Sequence, residues 1–277
     1  YGRSTSWAPI RKTVDSVLQS TRKEYRLRYT NPVNGNPGSG TGIYMLLNDQ
    51  LSFSQSSRPL KDREYVKARQ RGYSLRQIPI AIDGIAIAVH PNLKIAGLTI
   101  HQLKEIYTGK IVNWKEVGGA DIPITPYSRK EEEGGTVSFF ADNVMGDDDF
   151  GENIVFVKDT TDGIRKVSSN LGGVYYATAT EIVPQCEVKS LPIRRLQEEP
   201  IPPYQEPFVP LSKCPKKRNK INKEAFQSGE YPITRRLFVI IKRNGQIDES
   251  AGNAYANFLL TEQGQDLVDR AGFVRIH

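Results

Sequence analysis

Three segments of this 277-residue chain repeat one local chemistry. In "GRSTSWAP" the hydroxyls of Ser4, Thr5 and Ser6 stand just ahead of a helical pattern. In "GNPGSGTGIYMLL" Ser39 and Thr41 sit among Gly38, Gly40 and Gly42, and Ile43, Leu46 and Leu47 follow at helical spacing. In "EGGTVSFFADNVM" Gly134, Gly135 and Thr136 precede Val137, Phe140 and Val144, with Arg129 shortly upstream. A helix start leaves backbone N–H groups without intrahelical partners, and the positive end of the helix dipole points the same way. Small residues and a hydroxyl at such a start suit a small tetrahedral oxyanion held mainly by neutral donors. Taken singly, each segment reads as ordinary capping, because Ser, Thr and Gly are the common N-cap and turn residues. Their recurrence, with an arginine before the third, points to a ligand.

Other chemistries lack their residues. Glu131, Glu132 and Glu133 form an uninterrupted acidic run in a polar stretch, which reads as a solvated turn and not as a catalytic pair. "GSGTG" does not have the G-x-G-x-x-G spacing, no G-x-x-x-x-G-K-[ST] occurs, and no G-x-S-x-G elbow is present. Dinucleotide, P-loop and serine-hydrolase readings therefore fall away. The three histidines, His90, His101 and His277, are scattered, and neither cysteine belongs to a CxxC pair, so no metal or redox motif assembles from neighbours. The expectation is a binding protein, not an enzyme, with no cofactor and no metal.

The elements that must position these residues alternate between strand and helix, which predicts an α/β architecture with parallel-type sheets. "EYRLRYT" puts Tyr25, Leu27 and Tyr29 on one face of a half-buried strand. "IPIAIDGIAIAV", residues 78–89, is nearly continuous apolar sequence interrupted by Asp83-Gly84, as in a buried strand that bends or changes partners midway. Asp83 is read as a turn former there in preference to an acid facing the ligand. "RRLFVIIKR", residues 235–243, is a second such run. Between them, "APIRKTVDSVLQ" stripes Ile10, Val14, Val17 and Leu18 along one helix face with Pro9 in the first turn. "TIHQLKEIYTG" predicts a helix capped by Thr99 and stopped at Gly109, and "NAYANFLLTEQGQDLVDRAGF" one helix ended by Gly272. The proline-rich stretch 200–215 is the nearest thing to a linker.

Composition bounds the class. At 38% hydrophobic and 25% charged residues, the chain reads as an ordinary globular protein, long enough for one large or two medium domains, with no apolar run of transmembrane length. A formal charge of +7 invites a nucleic-acid reading, but the densest cluster, Lys216, Lys217, Arg218, Lys220 and Lys223, lacks interleaved aromatics and reads as a solvated loop. Cys186 and Cys214 bracket six prolines, and a disulfide between them is favoured over two free thiols. It would contribute roughly 3–4 kcal/mol to stability, and it implies an oxidising, extracytoplasmic compartment. The chain begins at Tyr1 with no initiator Met, which is compatible with a removed signal peptide or membrane anchor and equally with none.

At this point the residues carry a resemblance. "AIDGIAIAVHPN" followed by "GLTIHQLKEIYTGKIVNWKEVGGADIPITPYSR" is similar to the hinge strand and second-lobe entry of the phosphate-binding proteins of bacterial ABC importers. "SSRPL" at 56–60, "YPITRRLFVIIK" at 231–242 and "AYANFLLTEQGQDLVDRAGFVRI" at 254–276 also resemble family segments, so the likeness runs over nearly the whole chain. The resemblance implies a type II periplasmic-binding-protein fold: two lobes, each a mixed sheet flanked by helices, joined by two hinge strands. Residues 1–84 with 238–277 would form lobe I and 85–237 lobe II. It further implies capture of inorganic phosphate between the lobes, in preference to sulfate. The partner would be a membrane permease of an ABC importer, and the protein a monomer in the periplasm or at the cell surface.

Carried over position by position, the resemblance assigns the ligand to Thr5, Ser6, Ser39 and Ser57 in the first lobe and to Arg129, Gly134, Gly135 and Thr136 in the second. Three departures stand out. Ser57 falls where many relatives carry an aspartate, Gly134 replaces a usual serine, and one extra residue separates Arg129 from Thr136. Hydrogen phosphate carries a proton that needs an acceptor and sulfate carries none, so the Ser57 change bears on selectivity. Arg58 reads as a surface cation or one standing behind the ligand shell. The alternative function is an oxyanion sensor or scaffold of the same fold that binds weakly and uses the Lys216–Lys223 patch for a protein partner.

Overall fold

The apolar run at 235–243 has no polar alternation because both of its faces are covered. Leu237, Val239 and Ile241 pack into one cluster with Trp7, Ile10, Val14, Leu18, Tyr255, Leu259 and Val268. Phe238 and Ile240 pack on the opposite side with Ile43, Leu46, Leu47 and Leu75. A strand sandwiched between helices loses the period-two signal that a half-exposed strand keeps. Each such side chain contributes about 1.5–3 kcal/mol by leaving water.

A computed structural model describes residues 1–21, 26–32, 38–130, 134–196 and 198–276. In chain order it contains β1 (Gly2–Arg3), α1 (Ala8–Thr21), α2 (Ser39–Leu47), β2 (Phe53–Ser56), α3 (Asp62–Gln70) and β3 (Ser74–Val89). Next come β4 (Leu98–Thr99), α4 (Ile100–Tyr107), β5 (Thr125–Ser128), α5 (Gly135–Phe140), β6 (Val155–Phe156), α6 (Thr160–Ser169) and β7 (Gly173–Thr178). The remainder is α7 (Ala179–Ile182), β8 (Lys189–Leu191), β9 (Ile193–Arg194), α8 (Lys223–Ser228), β10 (Thr234–Arg243), α9 (Ile247–Leu259) and α10 (Glu262–Arg270).

The chain divides into two compact units. Unit 1 is Tyr1–Ile82, Glu131–Ser138 and Arg235–His277; unit 2 is Asp83–Lys130 and Phe139–Thr234. Residues 134–138 group with unit 1. In unit 1 the strand order is β1-β2-β10-β3. β1 runs parallel to β2, with Gly2 opposite Ser54, and β10 runs antiparallel to it, with Phe238 opposite Ser56. In unit 2 the order is β3-β7-β5-β6, with β8 also on β3. There β3 pairs antiparallel with β7 and β8, while β5 pairs parallel with β6 and β7. The sheets are thus mixed and helix-flanked, as the family resemblance implies, with antiparallel pairs beside the parallel ones expected from alternation.

Unit 2 is organised around stacked aromatics. Phe140 lies 3.7 Å from Tyr176 between ring centroids, and Tyr107 meets Tyr176 edge-on at 5.2 Å. Thr99 caps α4 by accepting from the Gln102 N–H at 2.9 Å, and Gly109 ends the helix region at φ +79°, a conformation that glycine adopts without strain. Cys186 and Cys214 form a disulfide, their Cα atoms 5.6 Å apart. The proline-rich stretch is built rather than loose. Asn219, buried, accepts from the Val209 N–H at 2.7 Å and donates to the Val209 carbonyl at 3.0 Å, and Tyr204 bridges to Ile221. The basic side chains Lys216, Lys217, Arg218 and Lys220 are exposed on it.

Four local expectations need correction. Residues 26–30 form no strand and are instead tied to Tyr1, whose amino group donates to the Arg28 carbonyl at 3.0 Å; Tyr25 lies outside the described residues. The late helix is two, α9 and α10, because Thr261 leaves the first and caps the second by accepting from the Gly264 N–H at 3.1 Å. Asp83 is not in a turn: β3 runs unbroken through it, its carboxylate accepts from the Thr178 hydroxyl, and the partner changes there, from a bridge at Ile82–Val274 to β7 from Ile85. The proline-rich stretch is no linker, for the reasons just given.

Candidate functional site

In unit 1 the strand directions bring several polar segments to one edge. β1 and β2 are parallel and end together, so Ser4–Ser6 after β1 and Ser57 after β2 emerge side by side. β10 is antiparallel to β2, so its first residues, Thr234 and Arg235, begin at that same edge. This is the edge at which α/β sheets offer helix starts to ligands. Thr5–Trp7 forms a 3₁₀ turn leading into α1, pinned by the Trp7 indole N–H donating to the Ser56 carbonyl at 3.0 Å and by the Ser4 N–H donating to the Gln55 carbonyl at 3.0 Å. Ser39 is the first residue of α2.

The hydroxyls meet in two groups. Ser4 Oγ donates to Ser57 Oγ at 3.0 Å, and Ser39 Oγ lies 3.1 Å from Ser57 Oγ while accepting from the Ser57 N–H at 3.0 Å. Ser4, Ser39 and Ser57 are all buried. The second group is Ser6 Oγ and Thr136 Oγ1, 3.3 Å apart. Arg235, itself 4% exposed, donates from one terminal nitrogen to both of them, at 3.0 Å each.

Gly135 joins the first group through its backbone. A Cβ at that position would stand 2.2 Å from Ser57 Oγ and 2.4 Å from Ser39 Oγ, so the approach requires glycine for reasons of space alone. The third helix start of the sequence reading is short: α5 has six residues before the helix widens to a π-turn at Ala141–Met145. Its contribution to the site is the close backbone of Gly135 and the Thr136 hydroxyl.

Of the residues named from the sequence, Ser6, Ser39, Ser57, Gly135 and Thr136 are thus gathered in unit 1. Thr5 opens the 3₁₀ turn and is half-buried, and Gly134 precedes α5, its carbonyl accepting from the Ser138 N–H at 3.1 Å. Arg129 follows β5 in unit 2 and is half-buried. Burial pushes the neighbouring Tyr175 phenol up to about 12, with the Thr160 hydrogen bond and the Arg129 charge pulling the other way. Glu131, Glu132 and Glu133 lie outside the described residues.

Two arginines change role. Arg58 is neither at the surface nor aimed at a ligand: at 4% exposure it grips Glu64 with two nitrogens, at 2.7 and 3.1 Å, and donates to the Pro59 carbonyl at 2.8 Å. Glu64 also accepts from the Lys61 N–H at 2.8 Å, so this pair fixes the turn that carries Ser57 to the start of α3. Arg235 was missed. Its signal was the two-residue period of "YPITRRLFVII", in which Tyr231, Ile233, Leu237, Val239 and Ile241 are buried and Arg235 shares their parity, while Arg236 faces outward.

Chemically the cluster is a set of hydroxyls, each able to donate and accept, beside one guanidinium that only donates. Among the described residues the partners of these hydroxyls are other hydroxyls, backbone groups and Arg235, with no base to turn a serine into a nucleophile. No group of three or more His, Cys, Asp or Glu side chains is placed to hold a metal among the described residues. No helix among them is long and apolar enough to cross a membrane.

Comparison with known proteins places the chain in a family. The family profile described as PBP superfamily domain matches residues 11–263. A protein named phosphate-binding protein PstS from Staphylococcus epidermidis is 28% identical over 274 residues, covering 98% of this chain and 76% of its own length. One of the same name from Staphylococcus haemolyticus is 27% identical over 267 residues, covering 95% and 78%. Among solved structures, a chain from Clostridium perfringens determined with bound phosphate superposes with a TM-score of 0.76 at 24% identity, covering 99% of this chain and 98% of that one. An ABC-type phosphate transport receptor from Vibrio cholerae gives 0.75 at 21% identity, covering 98% and 97%. The last two likenesses speak to the fold.

Proposed function

The chain belongs to the PBP superfamily, a family of solute-binding proteins, and on that premise we propose that it is an extracytoplasmic protein that captures inorganic phosphate and delivers it to an ABC importer. The observation that carries this reading is the convergence in unit 1 of Ser6, Ser39, Ser57 and Thr136 hydroxyls with the Arg235 guanidinium around the close backbone of Gly135. Such a cradle offers donors to a tetrahedral oxyanion, and charge-assisted hydrogen bonds from a buried arginine are among the stronger ones available. The relatives named as phosphate-binding proteins support the choice of ligand, and the Cys186–Cys214 disulfide supports an oxidising compartment. A membrane permease is the partner that this reading requires.

The test is calorimetric titration of ligand-free protein with phosphate and with sulfate, alongside thermal melts. Heat and a raised Tm with phosphate are expected; the absence of both with either anion would sink the reading. Arg129, on unit 2, is proposed as a ligand from the resemblance alone. Arg129→Ala is expected to weaken binding at least about tenfold, the loss of one charged hydrogen bond, and unchanged affinity removes it from the site.

A second reading, a sensor or scaffold with weak oxyanion binding, is favoured by one feature. The hydroxyls already bond one another and Gly135 stands against them, so a ligand must replace existing hydrogen bonds. Submicromolar phosphate affinity would exclude it.

A further inference from the structure

The disulfide-closed stretch of unit 2 leads into a groove of about 460 Å³ with cations along one side. One wall is drawn from residues 205–209, and the other is Lys216, Lys217, Arg218 and Lys220. The first wall is an arch tied at both feet. The Gln205 N–H donates to the Lys220 carbonyl at 2.8 Å, and the buried Asn219 amide holds the Val209 N–H and carbonyl at 2.7 and 3.0 Å. The second wall is fixed as well. The Cys186–Cys214 bridge anchors it just ahead of Lys216, and the Arg218 guanidinium donates to the Pro184 carbonyl at 2.7 Å.

A merely solvated basic loop needs none of these ties. Four cations within five residues repel one another, and a free backbone would let them spread apart. Here the backbone beneath them is held. Among the described residues none of the four meets a carboxylate in an ion pair, and Glu206 is the one acid of the groove lining. Because the walls are already ordered, little further conformational freedom is lost on their side when a partner binds.

Charge and shape choose among anions. Four cations against one carboxylate exceed the charge of a single small oxyanion and suit a run of carboxylates. No aromatic side chain lines the groove among the described residues, so nucleic-acid bases have nothing to stack on. A recess with Pro207 and Val209 beside the cations admits a narrow chain better than a flat layer of headgroups.

We propose that this groove is a docking site for an acidic, extended segment of a partner protein. The role goes beyond phosphate capture and does not depend on it, since the groove lies within unit 2 and contains none of the residues assigned to the oxyanion.

The experiment measures binding of fluorescein-labelled hexaglutamate by anisotropy for the wild type and three variants, with a thermal melt for each. Lys217→Glu with Lys220→Glu reverses two exposed groove charges. Arg63→Glu with Lys67→Glu makes the same change in net charge on exposed positions of α3 in unit 1. Asn219→Ala unties the arch and leaves the charge unaltered. The groove reversal is expected to weaken binding at least about tenfold, Asn219→Ala at least about threefold and the α3 reversal less than about threefold. Wild-type affinity should fall as salt rises from about 50 to about 300 mM, because screening shortens the reach of exposed charges. Should Asn219→Ala fail to fold, the two charge reversals carry the test. A wild type that does not bind hexaglutamate at the lower salt overturns the proposal, and so do groove and α3 reversals that weaken binding equally. Wild-type affinity in a folded Asn219→Ala overturns it too, because charge alone would then account for the binding. If hexaglutamate does not bind while phosphatidylglycerol vesicles hold the wild type and not the groove reversal, the surface belongs to a membrane instead.

Discussion

Gly135 lies so close to Ser57 that a Cβ added to its backbone would stand 2.2 Å from the Ser57 hydroxyl oxygen. The second-nearest atom, Ser39 Oγ at 2.4 Å, belongs to the other hydroxyl of the same pair. A methyl group there must displace either the backbone of residues 134–136 or the two serines, and overpacking of this kind costs about 1–3 kcal/mol. Gly135→Ala is therefore expected to lower phosphate affinity at least about tenfold while the far-ultraviolet circular dichroism stays that of the wild type. Wild-type affinity in this variant would place the Gly135 backbone away from the ligand.

Arg58 and Glu64 pair at 2.7 Å with both side chains almost wholly buried. Removing one charge leaves the other uncompensated in a low-dielectric setting, a loss of about 3–5 kcal/mol. Glu64→Gln should show this as a lower urea midpoint with an unchanged slope, and oxyanion affinity should weaken as well, because the pair holds the turn that carries Ser57. A stability loss under about 1 kcal/mol would be the value of an exposed pair and would contradict the burial seen here.

The Cys186–Cys214 bridge closes a sequence separation of 28 residues. By loop-closure entropy, opening it costs roughly 3–4 kcal/mol. The double variant Cys186→Ser with Cys214→Ser is expected to unfold at lower urea than the oxidised protein, and reduction with a thiol should lower the wild type to the same midpoint. Equal midpoints for oxidised and reduced wild type would refute the prediction.

Asp15 supplies a pH dependence with a definite sign. Burial raises its carboxyl above the ordinary range, while hydrogen bonds from Tyr1 and Tyr255 and the Arg11 charge pull it back. The folded protein then holds this proton to higher pH than the unfolded chain does, so stability falls as pH climbs from the ordinary carboxylate range through the raised folded value. Asp15→Asn does not titrate. The Tm of the variant minus that of the wild type is expected to increase with pH across this window and then level off; a difference that stays flat would show that Asp15 does not titrate differently on folding.

The sequence by itself determined the features that depend on neighbours along the chain. The stripe of Ile10, Val14 and Leu18 follows from helical periodicity, the capping of α4 from the Thr99 hydroxyl beside its own first turn, and the burial of residues 237–241 from an uninterrupted apolar run, and each of these is a local property. The helix-start chemistry of Ser39 and Ser6 was legible for the same reason. Even the two cysteines, being two, left little choice of partner. Local reading failed where a nearby residue competed unseen, as when Thr261 broke one expected helix into α9 and α10.

What tertiary structure alone decided is which donors share a space. Arg235 and Ser6 meet across 229 positions of sequence because β10 runs antiparallel to β2 while β1 runs parallel to it, and strand order is written in no single segment. The same folding took Arg58 from an expected surface or supporting cation to the buried partner of Glu64 and set Gly135 against Ser39 and Ser57. Hydrogen bonds act over about 3 Å, so whether a hydroxyl gives or takes a proton is settled by the folded neighbours of its oxygen. No spacing along the chain carries that information.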